Sequence, residues 1–170
     1  MWRRIVLTSI ALIALFSSNA QTFSGYSLYQ NYRFGYYLRY PTYLKIGSES
    51  SNGDGVVMYS SDRSIKLSVG AMFNLLDENV RTLMSEDVIS LSNQGYSITY
   101  SYTDDNSVVL SGYTKSGKIY YLKQVLCTIY SASYGEYVEI IATAYVEHSP
   151  KDKAKGDDII KQFKYFPFKP

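Results

Sequence analysis

The chain has 170 residues but only one cysteine, one histidine and four prolines. A single cysteine, Cys127, cannot form an internal disulfide. A catalytic histidine needs a nucleophile and an orienting acid. His148 has Glu147 as its neighbour, which points to the opposite face of a strand, and Cys127 is distant in the chain. No metal-ligand spacing and no phosphate loop stands out. Charge of one sign is also missing. The formal net charge of +2 comes wholly from Arg3 and Arg4, and the rest of the chain balances bases with acids. That argues against a nucleic-acid or anionic-membrane surface. The longest apolar run, Ile5 to Phe16, is too short to span a bilayer comfortably.

That run sits in a pattern of its own. Arg3-Arg4 precede it, and Ser18-Asn19-Ala20 follow with small residues at the −3 and −1 positions. This three-part order predicts a secretory signal over 1–20, with cleavage before Gln21. No cysteine at the cleavage site calls for lipid attachment. An exported protein without disulfides suits a bacterial envelope, periplasmic or secreted. No membrane span is expected to remain after cleavage.

What the chain has in excess is tyrosine, 19 residues. Many lie in alternating runs. The stretch from Lys118 to His148 is the richest and predicts two long strands folded back around Ser131–Glu136. Val125, Cys127 and Ile129 share one face of the first arm, and Leu122, Leu126 and Tyr130 share the other. Ile140, Ala142, Ala144 and Val146 line one face of the second. Side chains alternate along a strand, so each arm has one strongly apolar face. The absence of proline suits central strands.

Taken in order, 21–31 lacks periodicity and reads as a flexible lead-in. Tyr32 to Tyr40 reads as a strand ended by Pro41, and Tyr43 to Ile46 as another. Asn52-Gly53-Asp54-Gly55 signals a turn. Val56–Ser60 and Ile65–Phe73 follow as strands. Glu78–Gln94 is the best helix, with Val80, Met84, Val88 and Leu91 at helical spacing. Asp77 is its expected cap, and Gly95 its expected left-handed stop. Tyr96–Tyr102, with Tyr96, Ile98, Tyr100 and Tyr102 on one face, and Ser107–Thr114 are the next strands. Ser149-Pro150 opens a last helix, which Gly156 weakens by roughly 1 kcal/mol relative to alanine. One domain over 32–168 is expected, and no repeat or linker interrupts it.

Three phrases carry a resemblance: Tyr32-Arg33-Phe34-Gly35-Tyr36-Tyr37-Leu38-Arg39-Tyr40-Pro41, then Asn52-Gly53-Asp54-Gly55, then Ser111 to Tyr121. With the element order, residues 32 to 166 resemble the small exported bacterial proteins with a Mog1/PsbP-like fold. The resemblance implies an α+β fold: a central antiparallel sheet flanked by two main helices, as an α/β/α sandwich. Named members of that family are binding or assembly factors. Their partners do not transfer to this chain, because fold does not fix function.

The expected function is a non-enzymatic, exported binding or assembly module of the bacterial envelope, without a cofactor or metal. A phenol offers a flat apolar face and a polar tip, which suits protein, peptide or glycan partners. The candidate contacts are Tyr36, Tyr37, Tyr40, Asn52, Asp54, Tyr120 and Tyr137. The alternatives are an edge-strand protein-interaction factor, in which the lead-in or a sheet edge pairs with a partner, and an envelope hydrolase using Cys127 and His148.

Overall fold

A computed structural model describes residues 25–168. The expected signal segment lies outside the described residues. The long hairpin forms as the alternation predicts. β8 (Ile119–Ser131) and β9 (Glu136–His148) pair antiparallel from Ile119↔His148 to Ser131↔Glu136. They are the centre of a seven-stranded sheet ordered β3-β4-β5-β9-β8-β7-β6. The other strands are β3 (Lys45–Glu49), β4 (Gly55–Tyr59), β5 (Ile65–Phe73), β6 (Ser97–Thr103) and β7 (Ser107–Tyr113). Every pairing is antiparallel, as short turns require.

Alternation sends each strand's side chains to two cores. Ile140, Ala142, Ala144 and Val146 meet Ile65, Leu67 and Val69 on one face. Tyr120, Leu122 and Ile141 meet Val108 and Leu110 on the other. α1 (Val80–Asn93) covers the second face through Leu83 and Leu91. α2 (Lys153–Gln162), entered through a 3-10 turn at Pro150–Asp152, covers the first through Ile159.

The α/β/α sandwich is not what forms. Strands hold 49% of the described residues and helices 19%, so the described part is mostly β. The reason lies in the N-terminal segment. The part of the lead-in that is described is not loose: Tyr26–Asn31 is β1, paired with β2 (Tyr36–Pro41) from Tyr26↔Pro41 to Asn31↔Tyr36. This two-stranded sheet shares the α2 layer, so that layer is half β. The predicted strand from Tyr32 is instead a turn through Gly35, with φ +67°. Phe34, Tyr36 and Leu38 still point inward together, which is why the alternation looked like one strand.

Two helix details also differ. The α1 cap is Asn79, whose Oδ1 accepts from Arg81 N and Thr82 N at 3.0 and 3.1 Å. Asp77 instead takes a left-handed turn, φ +51°. Gly156 in α2 is required by packing: a Cβ there would overlap the ring of the buried His148. A residue that costs helix propensity lets α2 lie close on β9.

Candidate functional site

One strand defect shapes a groove lined by tyrosines. β6 follows β7 in register from Ser97↔Tyr113 to Ile98↔Gly112, then resumes at Tyr100↔Ser111. Thr99 is the extra residue of a β-bulge, and its hydroxyl lies 3.4 Å from Ser111 O. A bulge re-aims the side chains beyond it. Ile98 packs against the α1-side core, but Tyr100 and Tyr102 turn to the opposite face. The expectation that all four residues share one face therefore fails between Ile98 and Tyr100.

There they border a groove of about 660 Å³ between β6, β7, β8 and the end of α2. Five tyrosines line it: Tyr26 from β1, Tyr100 and Tyr102 from β6, Tyr121 from β8, and Tyr165 from the turn after α2. Tyr100, Tyr102 and Tyr165 are about half exposed (52%, 49% and 47%), so their rings are open to a ligand. Tyr121 is more enclosed and lies tilted on Phe163 at 5.8 Å. Burial, then the nearby Tyr100, raises its phenol above the ordinary value.

Three lysines line the groove, Lys123, Lys161 and Lys164, and Lys123 is the one on the sheet. Its Nζ donates to Phe163 O at 2.8 Å and Phe166 O at 3.4 Å. It thereby satisfies carbonyls at the end of α2, where a positive charge is favoured. Burial lowers its affinity for the proton, while Asp104 opposes that effect. At the other side Tyr26 donates its hydroxyl to the Asp158 carboxylate, joining β1 to α2. Burial and then this bond push the Tyr26 phenol upward. Asp104 is itself committed, accepting from Asn106 N and Ser107 N at 3.1 and 2.7 Å.

The residues singled out from sequence lie elsewhere and do not converge. Tyr36 and Tyr120 are fully buried, on opposite faces of the sheet, so neither presents a surface. Tyr36 donates to Asp54 O at 2.9 Å and packs edge-on to Phe166. Tyr40 is half-buried against the same core. Tyr37 accepts from Gln30 Nε2 at 3.2 Å. Tyr137 is 75% exposed at the tip of the long hairpin, edge-to-face with Tyr130.

Asn52 and Asp54 close their own turn. Arg33 Nη1 bonds Asn52 O and Asp54 Oδ1, each at 2.6 Å, and the Asn52 amide donates to Asp54. Gly53 has the positive φ that the turn signal predicts, +74°. Gly55 is glycine because a side chain there would strike the Val69 carbonyl.

Cys127 and His148 do not form a pair. Cys127 sits opposite Ile140, eight residues along β9 from His148. At strand rise that is about 26 Å. Burial, then Glu139, pushes the Cys127 thiol up to about 12, against its use as a thiolate. His148 Nδ1 contacts Ser149 O at 2.9 Å beneath α2. Among the described residues no cluster of His, Cys, Asp and Glu could hold a metal ion. No helix among them is long and apolar enough to cross a membrane.

No protein-family model and no curated protein matches the chain, so nothing there supports the Mog1/PsbP-like assignment. Among solved structures it is similar to LpqN, described as involved in cell envelope biogenesis of Mycobacterium tuberculosis. The two share 17% identity over 77% of this chain and 80% of that one, with a TM-score of 0.47. A likeness of this degree carries no argument about ligand or activity.

Proposed function

We propose that the chain is a non-enzymatic binding module of the bacterial envelope that holds an oligosaccharide in the tyrosine groove. One observation carries this reading: five tyrosines from four separate parts of the chain meet in one groove with Lys123, Lys161 and Lys164. Sugar rings present flat C–H faces that stack on phenol rings, and their hydroxyls pair with phenol tips and charged side chains. The groove offers both kinds of surface. The placement in the envelope rests on the signal-like order of residues 1–20.

A second reading follows from the sheet edge. β6 is an outer strand without a charged residue or a proline. Edges are ordinarily protected by such residues. An extended peptide added to β6 would send alternate side chains into the groove.

The test is a titration of isotope-labelled protein with soluble peptidoglycan fragments, and separately with extended peptides. An oligosaccharide ligand shifts the amides of 100–104, 121–123 and 160–165, and the shifts vanish in Tyr100→Ala with Tyr102→Ala. Shifts along β6 with peptides alone favour the second reading. Failure of both titrations, or shifts confined to other surfaces, removes the groove as the binding site.

A further inference from the structure

The face covered by α1 carries a second feature, separate from the groove. Between β5 and α1 the chain exposes two adjacent leucines, Leu75 and Leu76, each 82% accessible. The loop that holds them is clamped. Asn74 is buried, and its side-chain amide both donates to Glu78 O at 2.8 Å and accepts from Glu78 N at 2.9 Å. Asn74 N donates to Glu139 O at 2.9 Å, and the Asn74 amide also bonds the Glu139 carboxylate. Asp77, with its left-handed backbone, completes the turn. The leucines are thus held outward on a tied loop. Their exposure leaves two large aliphatic side chains in water, which is unfavourable relative to burial.

Beside them lies a crevice of about 500 Å³, floored by Leu83 and Ile141 and flanked by the 59%-exposed Met72. Its polar lining is acidic: Glu78, Glu86 and Asp87, with Gln124. Asp87 Oδ2 and Gln124 Oε1 are shielded from solvent and have no hydrogen-bond partner among the described residues. Burial, then the charges of Glu86 and Glu78, pushes the Asp87 carboxyl up to about 6. Arg81, the only base in α1, lines a different cleft with Thr103 and Asp105. The crevice therefore presents acceptors and negative charge beside aliphatic surface.

We propose that Leu75, Leu76 and this acidic crevice form a docking surface for a basic amphipathic helix of a partner protein. Its apolar face would cover the leucines and Met72, and its lysine or arginine would supply the donors and charge that Asp87 and Gln124 face. An anionic membrane is disfavoured because the acids would meet like charge. A second copy placed face to face would set these acids against each other.

The proposal is tested by calorimetry with a short amphipathic leucine–lysine peptide, its leucine–glutamate counterpart, and phosphatidylcholine vesicles with and without phosphatidylglycerol. The basic peptide alone binds saturably, and salt weakens it. Leu75→Ser with Leu76→Ser weakens it at least about tenfold while the melting temperature holds, since both side chains face solvent. Glu86→Gln with Asp87→Asn weakens it similarly. Tyr100→Ala with Tyr102→Ala leaves it intact, which separates this surface from the groove. Equal binding of the acidic peptide, undiminished binding by the leucine variant, or vesicle binding that depends on the leucines overturns the proposal.

Discussion

The tyrosine groove and the leucine patch occupy opposite faces of one sheet, and β8 serves both. Tyr121 and Lys123 enter the groove, while the intervening Leu122 and the following Gln124 face the α1 side. Period-two alternation allows neighbours to join unlike environments without a second domain. The groove is aromatic and contains a partly desolvated lysine. The patch is aliphatic and contains a partly desolvated carboxyl. They also differ in how they are held. The groove depends on tertiary ties, Lys123 to the end of α2 and Tyr26 to Asp158. The patch depends on Asn74, which clamps Glu78 and ties the loop to Glu139 of β9. A disturbance of α2 should therefore damage the groove first.

The largest expected effect uses that difference. Gly156→Ala sets a Cβ into the His148 ring and forces α2 from the sheet. It should destabilise the fold by about 3 kcal/mol and lower the melting temperature by roughly 10 °C. In the protein that remains folded, groove shifts should weaken while leucine–lysine peptide binding persists. Adding His148→Ala should recover part of the melting temperature. If peptide binding falls in step with the groove, the two faces are not independent.

Tyr100→Ala with Tyr102→Ala comes next. Groove affinity should fall at least tenfold, about 1.4 kcal/mol or more. Stability should change by less than about 1 kcal/mol because both rings are half exposed. Thermal melts and the oligosaccharide titration check this together. A large loss of stability would mean that the rings are structural.

The carboxyl on the other face provides a pH test. Asp87 is raised from 3.8 to about 6 in the folded protein. Its ionised form is therefore disfavoured by folding. The destabilisation is fully present above about pH 6 and disappears as pH falls through 6 toward the unfolded value. Asp87→Asn should raise stability near neutral pH by roughly 1 kcal/mol, allowing for solvent screening, and change little near pH 3. Denaturant unfolding at the two pH values measures it. A gain of equal size at both would assign the effect to packing.

The smallest effect is expected from Arg33→Ala. Its ion pair with Asp54 is partly exposed, with side-chain accessibilities of 42% and 34%. Such pairs contribute up to about 1 kcal/mol. Neither face should change its ligand binding. A change at either face would show that the 52–55 turn is coupled to it.

Much of the fold was legible because periodicity is local. Ile65–Phe73 and the two arms of the long hairpin could be read from alternation, and α1 from its buried stripe. The candidate site was not legible in this way. Of the tyrosines chosen from sequence, Tyr36 and Tyr120 went to the core, where an aromatic on the inward face of a strand belongs. Tyr100 and Tyr102 were read on the face of Ile98, because nothing in Ser-Ile-Thr-Tyr announces a bulge. Tyr26 was assigned to a loose lead-in, because a short strand with mixed faces has little periodic signal. Lys123 carries no signal in the sequence, because only the placement of α2 brings the Phe163 and Phe166 carbonyls beside it.

The amino-acid order by itself determined that Ile65–Phe73 and the two arms of the long hairpin extend, that α1 coils, and which faces of these elements are apolar, since these follow from side-chain shape and spacing within a few residues. It also excluded an internal disulfide, because only one cysteine exists. The tertiary structure alone decided which tyrosines meet and which of them are covered. It turned β1 and β2 into part of a layer that helices were expected to fill, and it made Gly156 necessary by placing His148 beneath it. These outcomes depend on strand register and on contacts between residues far apart in the chain, which local spacing does not encode.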